Sequence, residues 1–213
     1  MRKTLIWVFL LAVAWLNAQF GNLPVIEVQE MGGLNYGDEY IGYPSAPLDL
    51  HIANSGGANL EIYQIAVGLD DFIIQYSAFP VSIAPGASIT VPVVFQPGHA
   101  GVISDSLYII NNDPQCKEYP VHVQGRGVVV PLSEVNNVQI NVAGEDVVIN
   151  WDPVTTNILG GAANPDRYVV YFSQYPSGPT FWPLAVVTSQ SFVHQRAAVY
   201  APSRFYLVKA IRL

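Results

Sequence analysis

Apolar and polar residues alternate along most of this chain, in short runs broken by Gly, Pro, Asn and Asp. In DLHIAN, Leu48, Leu50 and Ile52 fall on one face, with Asp49 and His51 on the other. ITVPVVF groups Ile89, Val91, Val93 and Phe95, and SLYII groups Leu107 and Ile109. VHVQGRG sets Val121 and Val123 against His122 and Gln124. LEIYQIAVG alternates less regularly, and both of its faces read as partly covered. Beyond residue 131 the period of two returns. Val147, Ile149 and Trp151 share a face, then Tyr168, Val170 and Phe172, then Tyr206, Val208 and Ala210. A period of two over four to nine residues is the signature of a half-buried strand. NSGG at 54–57, Ala84-Pro85-Gly86, Gln96-Pro97-Gly98 and Asn112-Asp113-Pro114 supply the turns between them. Pro92 interrupts one strand pattern without an N–H to donate. Its strand is expected at a sheet edge, or with that nitrogen turned away from a partner. The predicted class is all-β, two consecutive antiparallel β-sandwiches over residues 21–130 and 131–213.

The N-terminus follows a different pattern. Arg2 and Lys3 precede an unbroken apolar run from Leu5 to Leu16, followed by Asn17-Ala18-Gln19. A basic start, an apolar centre and a small residue at the cut read as a signal peptide, residues 1–18, removed after Ala18. The run is shorter than the ~20 residues that span a bilayer, and no cysteine follows to carry a lipid. The expected location is therefore the periplasm, the cell surface or the medium, with the membrane met only during export.

Composition sharpens this reading. Hydrophobic residues make up 51% of the chain and charged residues only 12%, with 17 Gly and 16 Pro. That mix fits many short strands and tight turns, not helix bundles or disorder. Losing residues 1–18 removes two basic residues and no acidic ones, which takes the formal charge from −7 to −9. An acidic chain without a run of Lys or Arg argues against nucleic acid as a partner. Cys116 has no second cysteine to pair with. It reads as a small, half-buried residue in the turn after Asn111-Asn112-Asp113-Pro114.

Reactive constellations are missing from the sequence. His51, His99, His122 and His194 have no metal-ligand spacing. Asp70-Asp71 lacks a calcium-loop context and reads as a solvated turn. No nucleophile elbow, phosphate loop or CxxC occurs. The expectation is a non-enzyme with no cofactor and no metal.

Two family resemblances follow from particular residues. Asn54, Gly56 and Leu60 form an N-x-G-x-x-x-L. Ile83, Pro85 and Gly86 form an I-x-P-G, and Val93, Phe95 and Pro97 a V-x-F-x-P. Gly101, Leu107, Ile109 and Asn112-Asp113-Pro114 follow, and Gly125 with Gly127 closes the pattern. This succession resembles the Hydin-type (ASH) immunoglobulin-like domain and the bacterial choice-of-anchor D repeats. The resemblance implies an immunoglobulin-like sandwich used in binding and assembly, with no shared active site. In the second half, Trp151 and Pro153, Tyr168 and Val170, Thr188 with Ser191-Phe192, and Tyr206, Val208 and Ala210 resemble a fibronectin type III domain. That implies a spacer or protein-binding module, with Tyr206 where a tyrosine corner stands. The family carries a further strand after the last of these, and this sequence stops at Leu213.

The expected function is thus an exported interaction or assembly module binding another protein at the cell envelope or surface. The alternative is a carbohydrate- or peptide-recognition accessory that uses exposed aromatics. Candidate binding residues are Tyr171, Tyr175, Phe181 and Trp182, from an aromatic cluster in which Phe172 is expected in the core. Leu207, Lys209 and Ile211 complete the set, on a last strand whose edge lacks the family's next neighbour. That edge is expected to be covered by a returning segment such as Pro131 to Val135, or by a strand from a partner. Partners are accordingly another protein or a surface glycan.

Overall fold

A computed structural model describes residues 22–176, 180–200 and 203–212. Residues 1–18, expected to be a signal peptide, and the expected cut after Ala18 lie outside the described residues. The chain divides into two compact units, with the boundary between Val129 and Val130.

Among the described residues, the first unit places nine strands in two sheets. One sheet runs β1 (Ile26–Val28), β3 (Leu48–Asn54), β7 (Ser88–Phe95), β5 (Phe72–Ile74). The other runs β2 (Leu34–Tyr40), β9 (Glu118–Val128), β8 (Gly101–Asn111), β4 (Leu60–Ala66), β6 (Val81–Ile83). Leu50, Ile52, Val91, Val93 and Phe95 from the first sheet meet Leu60, Ile62, Leu107, Ile109 and Val123 from the second in one core, all fully buried. Each such side chain contributes about 1.5–3 kcal/mol by leaving water.

Three local features depart from plain alternation. β2 runs parallel to β9, so this sandwich is not wholly antiparallel. Its predecessor β1 belongs to the opposite sheet. A chain that crosses between sheets makes no hairpin, so nothing forces its direction to alternate. In β4 the register shifts between Ile62 and Gln64, and Ile62 and Ile65 are both buried. A bulge adds one residue and moves the buried face from i+2 to i+3, which explains the irregular sequence pattern. Pro92 sits inside a sheet, with β3 and β5 on either side of its strand, so it is not on an edge. Its carbonyl accepts from Gln75 N–H just past the end of β5, where the ladder stops for want of a proline N–H.

Among the described residues, six strands and one short helix build the second unit. One sheet is β10 (Gln139–Ala143), β11 (Asp146–Asn150), β14 (Ser191–His194). The other is β13 (Trp182–Val187), β12 (Arg167–Ser173), β15 (Phe205–Ile211). Val147, Ile149 and Trp151 pack with Tyr168, Val170 and Val208 between them. The indole Nε1 of Trp151 is buried without a hydrogen-bond partner. Helix α1 (Ala197–Tyr200), four residues long, lies in the stretch between β14 and β15. It is too short to leave a helical period in the sequence. The Tyr206 hydroxyl meets Nδ1 of His194 at 3.0 Å, so the tyrosine-corner role expected for it is not what its side chain does here.

Candidate functional site

The candidate residues of the last strand gather at one place. β15 pairs along its whole length with β12, from Arg167 opposite Ile211 to Ser173 opposite Phe205. It ends its sheet, and among the described residues no strand pairs with its other side. Tyr206, Val208 and Ala210 turn inward to the core, while Leu207 and Lys209 are exposed on the other face. The Lys209 ammonium stands 5.8 Å from the centre of the Tyr171 ring, a cation–π contact that keeps it above the sheet.

Residues 132–135 run near this edge without joining it. Their polar groups are held elsewhere. Ser133 N–H donates to the Thr156 carbonyl at 2.9 Å, and its hydroxyl donates to the Asn157 carbonyl at 2.8 Å. Ile158 N–H in turn donates to the Pro131 carbonyl at 3.0 Å. Among the described residues, no backbone hydrogen bond joins this segment to β15. A groove of about 350 Å³ lies instead between residues 132–135 and 207–210. Leu132 and Val135 are half-buried against the core on one wall, and Glu134 is exposed. The returning segment therefore makes a wall beside the edge rather than a strand that covers it.

A second uncovered surface begins four residues beyond Val135. Ile140 and Val142 on β10 stand opposite Ile149 and Val147, and so share their core-facing side. Yet they are 48% and 68% exposed, whereas Ile149 and Val147 are buried.

The aromatic candidates do not form one patch. Tyr171 is half-buried on the outward face, opposite Leu207. Trp182 is 61% exposed and stands opposite Phe172, so it lies on the other face. Phe172 is only half-buried, not a core residue. It packs edge-on against His194 and carries Arg204 above its ring. Tyr175 is exposed and Phe181 half-buried.

Other polar candidates have structural partners. His51 meets Glu30 at 2.7 Å, and His99 Nδ1 lies 3.1 Å from the Ala100 carbonyl. Asp71 accepts from Gly98 N–H at 2.7 Å, which ties two turns together. Asp105 accepts from the N–H groups of Ser106, Leu69 and Gly68. Burial pushes its carboxyl up, but those three donors outweigh it and hold it below the usual range. Burial, and then the charge of Asp113, pushes the Cys116 thiol up, away from a reactive thiolate. Among the described residues, no three potential metal ligands come together.

No protein-family model matches the sequence, and no curated protein matches it. Solved structures show distant likenesses. A protein of unknown function from Porphyromonas gingivalis W83 is 20% identical, with a TM-score of 0.43. That match covers 50% of this chain and 48% of the other, about half the length of each. The ASH / PapD-like domain 7 of human CEP192 is 12% identical, with a TM-score of 0.40, over 49% of this chain and 85% of that one. The secreted serine protease VesC from Vibrio cholerae is 15% identical, with a TM-score of 0.38, over 91% and 51%. None of these likenesses assigns a ligand or an activity to this chain.

Proposed function

We propose that this protein is an exported, non-enzymatic interaction module that binds another protein through its second sandwich. In this reading the first unit is an ASH-type immunoglobulin-like domain. The second is a fibronectin type III-like domain. The observation that carries it is the edge of β15, which has no pairing partner among the described residues and is flanked by a groove. An unpaired strand edge offers a row of backbone donors and acceptors, and native proteins normally cover, bulge or charge such edges. Here Lys209 within the strand, with Arg204 just before it and Arg212 just after, supplies the charge. The test is co-purification of neighbours with the exported full chain, compared with a Leu207→Asp/Lys209→Glu variant. A partner retained by the first and lost by the second supports the reading. Equal retention by both would place binding elsewhere.

A second reading, recognition of a carbohydrate by aromatics, draws on the exposure of Tyr175 and Trp182, at 68% and 61%. Exposed rings of this kind stack on sugars or anchor peptides. A glycan array with the full chain and Trp182→Ala decides it. No loss of any glycan signal in the variant removes this reading.

A further inference from the structure

We infer that the β15 groove takes an extended protein segment as an added strand, one whose side chains alternate between apolar and acidic. This rests on the interaction-module reading above and names the partner's chemistry. The backbone edge sets the first requirement. Only an extended chain can match the ladder of β15, and seven residues at about 3.3 Å each give room for a partner strand of roughly that length.

The two sides of such a strand would meet different surroundings. Its inward side chains would follow Val208 and Ala210 into the groove of about 350 Å³, against Leu132 and Val135, beside Ser133 and Glu134, which also line it. Its outward side chains would lie beside Leu207 and Lys209. Charge on this sheet is one-sided. The charged residues within β12, β13 and β15 are Arg167 and Lys209, with Arg204 and Arg212 flanking β15. These are four of the nine basic residues of the chain. The nearby carboxylates are Asp166, just before β12, and Glu134, exposed on the far wall. An acidic side chain on the outward face would lie beside Lys209, the one cation that lines the groove. A basic one would meet like charge, which costs affinity and slows encounter.

The test uses the mature full chain and three labelled seven-residue peptides, read by fluorescence anisotropy. The first alternates Val with Glu, the second alternates Val with Lys, and the third has the first's composition with its four Val contiguous. The expected order is tightest binding by the Val/Glu alternation, with at least tenfold weakening for each of the others. Backbone amides of β15 should gain hydrogen-exchange protection only with the first. Lys209→Glu should reverse the preference between the two alternating peptides. Lys209→Gln, milder for folding, should narrow it. Equal binding of both alternating peptides overturns the charge assignment. If no peptide binds while the exported protein still retains a partner, the inference is wrong and the interaction reading stands. Failure of both fells both. Concentration-dependent self-association that protects β15 without peptide would make a second copy the occupant and overturn the inference.

Discussion

Asn54 makes four hydrogen bonds from one buried side chain. Its Nδ2 donates to the carbonyls of Ala58 and Ile83, at 2.8 and 2.9 Å, and its Oδ1 accepts from the N–H groups of Gly56 and Val25. It thereby closes its own turn and ties the ends of two other strands to it. Asp113 acts alike, accepting from Ile26 and Gln115. These residues carry the sequence resemblance in the first unit, and their work is structural. Removing such a residue leaves buried backbone groups without partners, each at a cost of about 1–3 kcal/mol. Asn54→Ala should lower the stability of residues 22–129 by about 2–4 kcal/mol, measured by urea unfolding. Gly125 has a steric reason instead. A Cβ there would run into the Phe95 ring, which is fully buried in the core. Gly125→Ala should cost about 1–3 kcal/mol through overpacking. Cys116 contrasts with both. It is half-buried against the core, and its sulfur lies 3.6 Å from the Glu118 carbonyl. Cys116→Ser should stay within about 0.5 kcal/mol of wild type. A loss above about 2 kcal/mol would mean that its contact with the core matters more than its exposure suggests.

Elements were legible in the sequence where alternation is clean and both neighbours are in place. β3, β7, β9, β11 and β12 fall where the period of two puts them, with most of the expected residues buried and Leu48, Ile89 and Phe172 half-buried. β2 and β10 were not: both stand at sheet edges and bury little, and in β10 the alternating Ile140 and Val142 stay exposed. Bulges hid more. The register of β12 with β13 shifts between Val170 and Tyr171. That one extra residue moves Trp182 to the face opposite Tyr171, so an aromatic cluster read from the sequence is divided in space. The groove beside β15 was only half legible. Alternation identifies Leu207 and Lys209 as outward-facing, but its other wall comes from residues some 75 positions earlier, held there by bonds to Thr156 and Asn157. His194 and Tyr206 link β14 to β15 across the same unit. Burial first, and then the charge of Arg204, hold the His194 imidazole below its usual pKa. The unfolded chain therefore takes up a proton at a higher pH than the folded one. The resulting stability is fully present above about pH 6.5. It is lost as pH falls through the folded value. Residues 130–213 contain no other histidine, so their melting temperature should drop between pH 7 and pH 5. His194→Gln should flatten that slope, and an unchanged slope would rule His194 out as its source.

At the scale of the molecule, charge divides the chain as its cores do. Residues 22–129 carry eleven acidic residues and two basic ones, whereas residues 130–213 carry five of each. The first unit is therefore strongly self-repelling, and the second is neutral. The cation-bearing sheet of the second is defined by where its charges sit, not by any excess. Each unit has its own buried cluster, formed by its own residues. A domain with its own core can fold alone. Residues 22–129 and 130–213, expressed separately, should each melt cooperatively. Their salt responses should differ. Raising ionic strength from ~0.01 M to ~0.5 M shortens the screening length from about 30 Å to below 10 Å. That relieves repulsion among the carboxylates of the first unit and should raise its melting temperature. The second unit has no net repulsion to relieve, and its few ion pairs, such as Arg196 with Glu145 at 3.5 Å, are exposed and contribute little. Its melting temperature should hardly move. An equal rise in both would point to a general salting effect on buried apolar surface, not to charge. If residues 22–129 fail to fold alone at either salt concentration, the first core depends on residues beyond Val129, and the division drawn there is misplaced.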